Sequence, residues 1–199
     1  INTAQGKALL TIAITAGIDS LAGMVWAFYE LVLGQINPFP SIADGMWFLF
    51  YVSAIVGLLY LLHQAWAFVR RKTIITGIII FVILSSAIYF ISLQQIFADP
   101  TYGFWGKFFS AQYPIGDVLV LSIASMVFTT LKKGVYGKAW LSIIIGFGLY
   151  AVADLVYTYF LYLGTYRSGQ LTDLLWYAGH LLWAYGFFLY LKASRSDNA

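Results

Sequence analysis

The sequence predicts an all-α polytopic membrane protein of six transmembrane helices arranged as three helical hairpins. Three observations predict it. Hydrophobic residues fill 61% of the 199 positions and charged residues only 10%, against roughly 25% charged in a soluble domain. Apolar runs of the ~20 residues needed to cross about 30 Å of hydrocarbon occupy nearly the whole chain. The lysines and arginines gather between alternate runs. Together these leave one membrane domain, residues 1–199, and no room for a second.

The first span covers about 8–33, after Lys7. It is longer than the ~7–15-residue apolar core of a cleaved signal peptide, so it reads as a true span although the chain begins at Ile1. The second covers about 43–68 and follows Pro38, Pro40 and Ser41. A proline suits the start of a helix, where a missing amide donor costs nothing, and Ser41 with Asp44 is a capping-box pattern. The third covers about 73–97 after Arg70, Arg71 and Lys72. Residues 98–114 carry Pro100, Gly103, Gly106 and Pro114 and predict an irregular or partly helical loop. The last three spans cover about 115–131, 139–163 and 171–191, the final pair joined around Arg167.

Orientation follows from the rule that cytoplasmic loops retain positive charge. Lys7, Arg70, Arg71, Lys72, Lys132, Lys133, Lys138, Lys192 and Arg195 fall at one set of ends, and only Lys107 and Arg167 at the other. Both termini are therefore expected in the cytoplasm, with the chain a multi-pass protein of the cell (plasma) membrane. The net charge of +3 reports this asymmetry and does not point to nucleic acid. With no cysteine, disulfides, thiolate metal sites and cysteine nucleophiles are excluded.

Three outer-turn carboxylates, Asp44, Asp117 and Asp173, each fall in the first turn expected for an even-numbered helix, in PFPSIADGMWF, QYPIGDVLVL and SGQLTDLLWY. Helix capping accounts for all three, since a carboxylate there offsets the helix dipole; a direct ligand role is the alternative. Asp19, Asp154 and His180 lie near mid-span, where a charged Asp costs on the order of 2.5–3.5 kcal/mol to insert. Asp154 and His180 are each 13 residues from Arg167, which places them at similar depth and able to hydrogen-bond directly. Such a bond is the structural reading, and proton sensing or ligand binding the functional one.

At 100° per residue, Asp19 shares a face with Thr15, Ala16, Gly23, Trp26 and Glu30, and His180 one with Asp173, Trp176, Trp183, Ala184 and Phe187. Ala13, Ala16, Gly17, Ser20, Gly23 and Ala27 give the first helix a small-residue surface suited to close packing. A cavity between the two faces is expected, with Asp19, Trp26, Glu30, Asp154, Tyr157, Trp176 and His180 as the ligand-binding set. Outer aromatics including Phe104, Trp105, Phe108, Phe109, Tyr113, Tyr159, Tyr166 and Tyr177 read mostly as an interfacial belt. Some of them, with Glu30, Asp44, Asp117 or Asp173, are able to form a cage for a cationic or aromatic ligand.

Several chemistries lack their residues. No lysine lies at mid-membrane for a retinal Schiff base, and His63 and His180 differ in depth, against a bis-histidine haem. HExxH, GxSxG and phosphate-binding glycine loops are absent. Pro114-Ile115-Gly116-Asp117 matches the GxGD signature of intramembrane aspartyl proteases only in part. The expectation is no enzyme, no cofactor and no metal.

Residues 27–51, 112–128 and 153–188 resemble the multi-helix amino-terminal membrane sensor region found ahead of diguanylate cyclase (GGDEF/EAL) and histidine kinase modules in bacteria and archaea. The match runs through Pro38, Pro40, Ser41, Ala43 and Asp44; Tyr113, Pro114, Gly116 and Asp117; and Asp154, Tyr157, Tyr166, Gly169, Asp173 and Trp176. The resemblance implies a prokaryotic signal-input domain. Such regions precede an output module, and the tail from Lys192 to Ala199 is too short for one, so an excised domain and a free-standing protein both remain open.

The leading expectation is a membrane-embedded sensory module that binds a small ligand, lipid or proton and signals to the cytoplasmic side. A small-solute transporter or substrate-capture subunit, and a structural subunit of a larger membrane complex, are the alternatives. Expected partners are the lipid bilayer, a small-molecule ligand, and a cytoplasmic signalling module or partner membrane chain.

Overall fold

A computed structural model describes residues 4–196. Six helices are long and apolar enough to cross a membrane, and no strand occurs among the described residues. They are α1 (Ala4–Leu31), α2 (Ile42–Gln64), α3 (Arg71–Ala98), α4 (Phe104–Leu131), α5 (Gly137–Tyr162) and α6 (Leu174–Ser196). The chain is thus an all-helical, multi-pass membrane protein. Because successive helices alternate in direction, Lys7, Arg70, Lys72, Lys132, Lys138 and Lys192 all gather at one end, here called the basic end. The opposite end is rich in aromatics.

Local chemistry sets the boundaries. At the start of α2 the Ser41 amide and hydroxyl both donate to Asp44 Oδ2, at 2.6 and 2.9 Å, a carboxylate cap that anchors the first turn. Gly164, at φ +65°, closes α5 in the left-handed conformation that glycine adopts without strain. A turn of π-helix at Tyr89–Leu93 interrupts α3, and a 3₁₀ turn, Leu171–Asp173, leads into α6.

The fourth helix departs from expectation. It begins at Phe104, eleven residues before the expected 115, and holds Pro114 in its interior. Proline removes one intrahelical bond, yet Phe104–Tyr113 continues as helix, so Asp117 stands in mid-helix, buried, and not in a first turn. The 98–114 loop shrinks to about 99–103.

Packing places α1 on α2, α3 on α4 and α5 on α6, while α4 also packs on both α2 and α5. With no hydrophobic drive between helices in lipid, such contacts depend on close approach by small residues and on interhelical hydrogen bonds. A methyl group at Gly146 of α5 would lie 2.5 Å from Trp183 Cδ1 and 2.8 Å from the Gly179 carbonyl of α6. One at Gly116 of α4 would lie 2.3 Å from the Tyr51 ring of α2. Thr15 and Ser53, 2.8 Å apart, tie α1 to α2. At the centre Phe50 stacks on Tyr150 and Tyr150 on Trp183, with centroids 5.0 and 5.6 Å apart. The most apolar stretch of α5 is 56% buried and that of α3 only 11%, so α3 is peripheral and presents Ile78, Ile79, Val82 and Ile83 outward.

Most of the small-residue surface of α1 does not pack within the chain, although Ala16 touches the core. Ala13, Gly17, Ser20 and Gly23 are exposed, and nothing lies within 4 Å of a methyl placed at Gly17 or Gly23. It is Thr15, Asp19 and Ala22 that face the bundle.

Candidate functional site

Asp19, midway along α1, is 6% exposed. Its Oδ1 accepts from the Trp47 indole of α2 at 2.9 Å and from the Tyr150 hydroxyl of α5 at 2.5 Å. Its Oδ2 meets His180 Nε2 of α6. The other imidazole nitrogen, Nδ1, lies 2.7 Å from the Trp176 carbonyl. A carbonyl only accepts, so Nδ1 carries hydrogen, and one further proton lies between Nε2 and Oδ2. Whichever atom holds that proton, the Asp19–His180 pair is neutral as a unit, which lowers its cost in the membrane.

One turn toward the aromatic end, Asp154 of α5 accepts from the Trp176 indole at 2.8 Å through Oδ1. Its Oδ2 lies 2.6 Å from the Tyr51 hydroxyl of α2. The same hydroxyl lies 3.0 Å from Asp117 Oδ1 of α4. A continuous chain thus runs Asp117–Tyr51–Asp154–Trp176–His180–Asp19 and joins α4, α2, α5, α6 and α1. No lysine or arginine bonds to it among the described residues. Gly116 is the reason that Tyr51 reaches Asp117, since any side chain there would occupy the space of the ring.

Three further carboxylates surround this chain toward the aromatic end. Asp44 combines its capping role with a bond from the Tyr113 hydroxyl at 2.6 Å, while Gln112 donates to the Asp44 carbonyl at 3.0 Å. Asp173 accepts from the Gly169 amide at 2.8 Å and from the buried Tyr166 hydroxyl at 3.3 Å. Burial, and then the Asp173 charge, push the Tyr166 phenol above its usual range. Glu30 accepts from Ser168 at 2.9 Å, and Ser168 in turn receives the Trp26 indole at 3.2 Å, which latches α1 to the α5–α6 loop.

The structure therefore brings Asp19, Asp154, Trp176 and His180 together, with Asp117 added from the outer-turn set. Trp26 and Glu30 form a separate latch near the aromatic end. Tyr157 packs on Tyr166 and Trp176, with centroids at 4.6 and 5.8 Å, and has no polar bond to the chain of carboxylates. Two expectations are corrected. Asp154 and His180 do not bond to each other: Trp176 meets Asp154, and His180, one turn further along α6, meets Asp19. The expected cavity between α1 and α6 is filled by the direct Asp19–His180 contact and by Trp47 and Tyr150.

A cavity of about 450 Å³ does occur elsewhere, between α2 and α4, with Tyr51 and Gly116 among its walls and Phe48, Val52, Ile115 and Leu119 as apolar lining. The outer aromatics divide accordingly. Phe104, Trp105, Tyr159 and Tyr177 face outward, while Tyr113, Tyr157, Tyr166 and Trp176 turn inward to carboxylates or rings. No cluster of three or more metal-ligating side chains occurs among the described residues.

Sequence reasoning missed Trp47, Tyr51, Tyr150 and Gln112. Two of these carried a signal: Tyr51 lies two helical turns from Asp44 on one face, and Tyr150 one turn from Asp154. A hydroxyl a whole number of turns from a mid-span carboxylate is poised to share its network.

Comparison with family models, with curated proteins and with solved structures gives no match for this chain. The class defined by fold and site is an all-helical membrane protein built around buried carboxylates.

Proposed function

We propose that this chain is a membrane-embedded signal-input module, read out at the basic end by way of α6. The observation that carries the reading is the chain Asp117–Tyr51–Asp154–Trp176–His180–Asp19 across five helices. Each of its carboxyl groups is costly in lipid, so gain or loss of a proton or a polar ligand at any link alters the partner choice of the next. A network of that kind couples a local event to helix packing, which is what an input domain requires. The resemblance to the sensor regions of cyclases and kinases supports the same reading. It implies a cytoplasmic orientation of the basic end in the plasma membrane and a cytoplasmic signalling module as partner.

The test uses the protein in lipid nanodiscs with spin-label pairs near Lys7 and Lys192. Distances are measured as pH is stepped and as cationic and aromatic small molecules are added. A shift in the wild type that is lost in His180→Ala supports the proposal. No shift under any condition, or solute flux in proteoliposomes, refutes it, flux placing the chain among transporters.

A second reading, a subunit of a larger membrane complex, is favoured by the exposed Ala13, Gly17, Ser20 and Gly23 face of α1. Co-purification of a stoichiometric partner that protects this face would establish it.

A further inference from the structure

The hydrogens of the Asp117–Tyr51–Asp154 bridge do not balance with two ionised carboxylates. A phenol has one hydrogen to give. The Tyr51 oxygen nevertheless lies 2.6 Å from Asp154 Oδ2 and 3.0 Å from Asp117 Oδ1, both hydrogen-bond distances. If Tyr51 donates to one carboxylate, the other faces a lone pair unless it carries a proton of its own. All three side chains are buried, at 4%, 7% and 6% exposure for Tyr51, Asp117 and Asp154, and their oxygens are in direct contact, so no water bridges them.

The remaining contacts decide which carboxyl holds the proton. Asp154 receives a second donor, the Trp176 indole at 2.8 Å, and both of its oxygens are served as acceptors. Asp117 Oδ2 is buried and has no partner, a costly position for half of a carboxylate but a tolerable one for the carbonyl oxygen of a neutral acid. We infer that Asp117, Tyr51 and Asp154 form a single buried proton-binding site, in which Asp117 holds the proton on Oδ1 and donates to Tyr51, while Tyr51 donates to ionised Asp154.

The surroundings leave no other source of neutralisation. From α2 the bridge meets Tyr51 alone among titratable groups. Asp154 and, one turn to either side, Tyr150 and Thr158 come from α5, with Tyr157 between them. On α4 itself the nearest titratable group is Tyr113, which bonds to Asp44; Lys107, a wall of the same cavity as Tyr51, lies ten residues before Asp117 and donates to the Phe97 carbonyl at 2.8 Å. From α3, packed on the other side of α4, Arg71 and Lys72 lie at the basic end and Tyr89 is exposed. Beyond Trp176 lie His180 and Asp19, whose shared proton is already accounted for. Tyr51 and Gly116 also line the 450 Å³ cavity between α2 and α4, so the bridge lies directly behind that cavity wall.

This site goes beyond the input-module reading and stands on the bridge alone, so it survives if no helix movement is found. The test is infrared spectroscopy of the full chain in nanodiscs at neutral pH, in H₂O and D₂O. A carbonyl stretch of a protonated carboxylic acid is expected in the wild type and lost in Asp117→Asn. Asparagine mimics the acid by donating Nδ2–H to Tyr51, so Asp117→Asn should keep its fold. Asp154→Asn turns an amide donor toward Tyr51 and forces that hydroxyl onto Asp117, so its folding equilibrium should fall about tenfold or more below that of Asp117→Asn. Should either asparagine variant fail to express, Tyr51→Phe serves: removal of the acceptor should shift the wild-type band in frequency. Absence of an acid band in the wild type, a band untouched by Asp117→Asn, or one unshifted in Tyr51→Phe overturns the assignment.

Discussion

Replacement of Asp19 separates the network from mere packing. Asp19→Ala removes the partner of three groups at once: the Trp47 indole, the Tyr150 hydroxyl and His180 Nε2. Interhelical hydrogen bonds in membranes average about 0.6 kcal/mol and reach about 1.7. Three of them therefore predict a loss of about 2 to 5 kcal/mol. Asp19→Asn is the informative control. Its oxygen still accepts from Trp47 and Tyr150, and its amide donates to Nε2, while Nδ1–H stays on the Trp176 carbonyl. All partners are then satisfied with a neutral imidazole, and the loss should stay below about 1 kcal/mol. Equilibrium unfolding in mixed micelles of rising SDS fraction, followed by tryptophan fluorescence, measures both. If Asn falls as far as Ala, or Ala loses less than about 0.5 kcal/mol, the hydrogen-bond accounting around Asp19 is wrong.

Two further outcomes follow from other parts of the fold. Gly146→Ala drives a methyl into Trp183 and the Gly179 carbonyl and should cost about 1–3 kcal/mol; Gly148→Ala, with nothing within 4 Å, should be neutral or gain up to about 1 kcal/mol from helix propensity, and the same unfolding assay compares them. Because the folded Tyr166 phenol titrates above the usual value of about 10, its contribution is whole below that pH and is lost as pH rises beyond it; Tyr166→Phe should flatten the alkaline limb of a thermal-stability profile, and an unchanged limb would argue against the Tyr166–Asp173 contact.

The spans were legible because apolar length alone fixes them: α1, α2, α5 and α6 fall within a few residues of their expected positions. What misled was punctuation. Pro114 read as a boundary, since proline in a soluble helix usually is one, but in α4 neighbouring helices hold the chain helical through it. The mid-span carboxylates and His180 were legible as a group from the cost of burying them. Their pairing was not, because it depends on the register of α6 against α5, and a shift of one turn exchanged His180 for Trp176 beside Asp154. The role of Tyr51 was hidden for a similar reason: it needs both its own helix face and the space left by Gly116, a residue 65 positions away. Tyrosine at 15 of 199 positions gives no hint of which one bridges two acids.

The union of Asp19 with His180 also constrains how the polypeptide is assembled in the bilayer. In chain order α1 is threaded first and α6 sixth, and α6 is the least apolar span, with mean hydropathy 1.2 against 2.6 for α3. Until α6 follows, Asp19 has the Trp47 indole and then the Tyr150 hydroxyl as its donors, and the neutral acid is its cheaper form. A chain halted after α5 would therefore hold a mid-span acid without the imidazole that shares its proton.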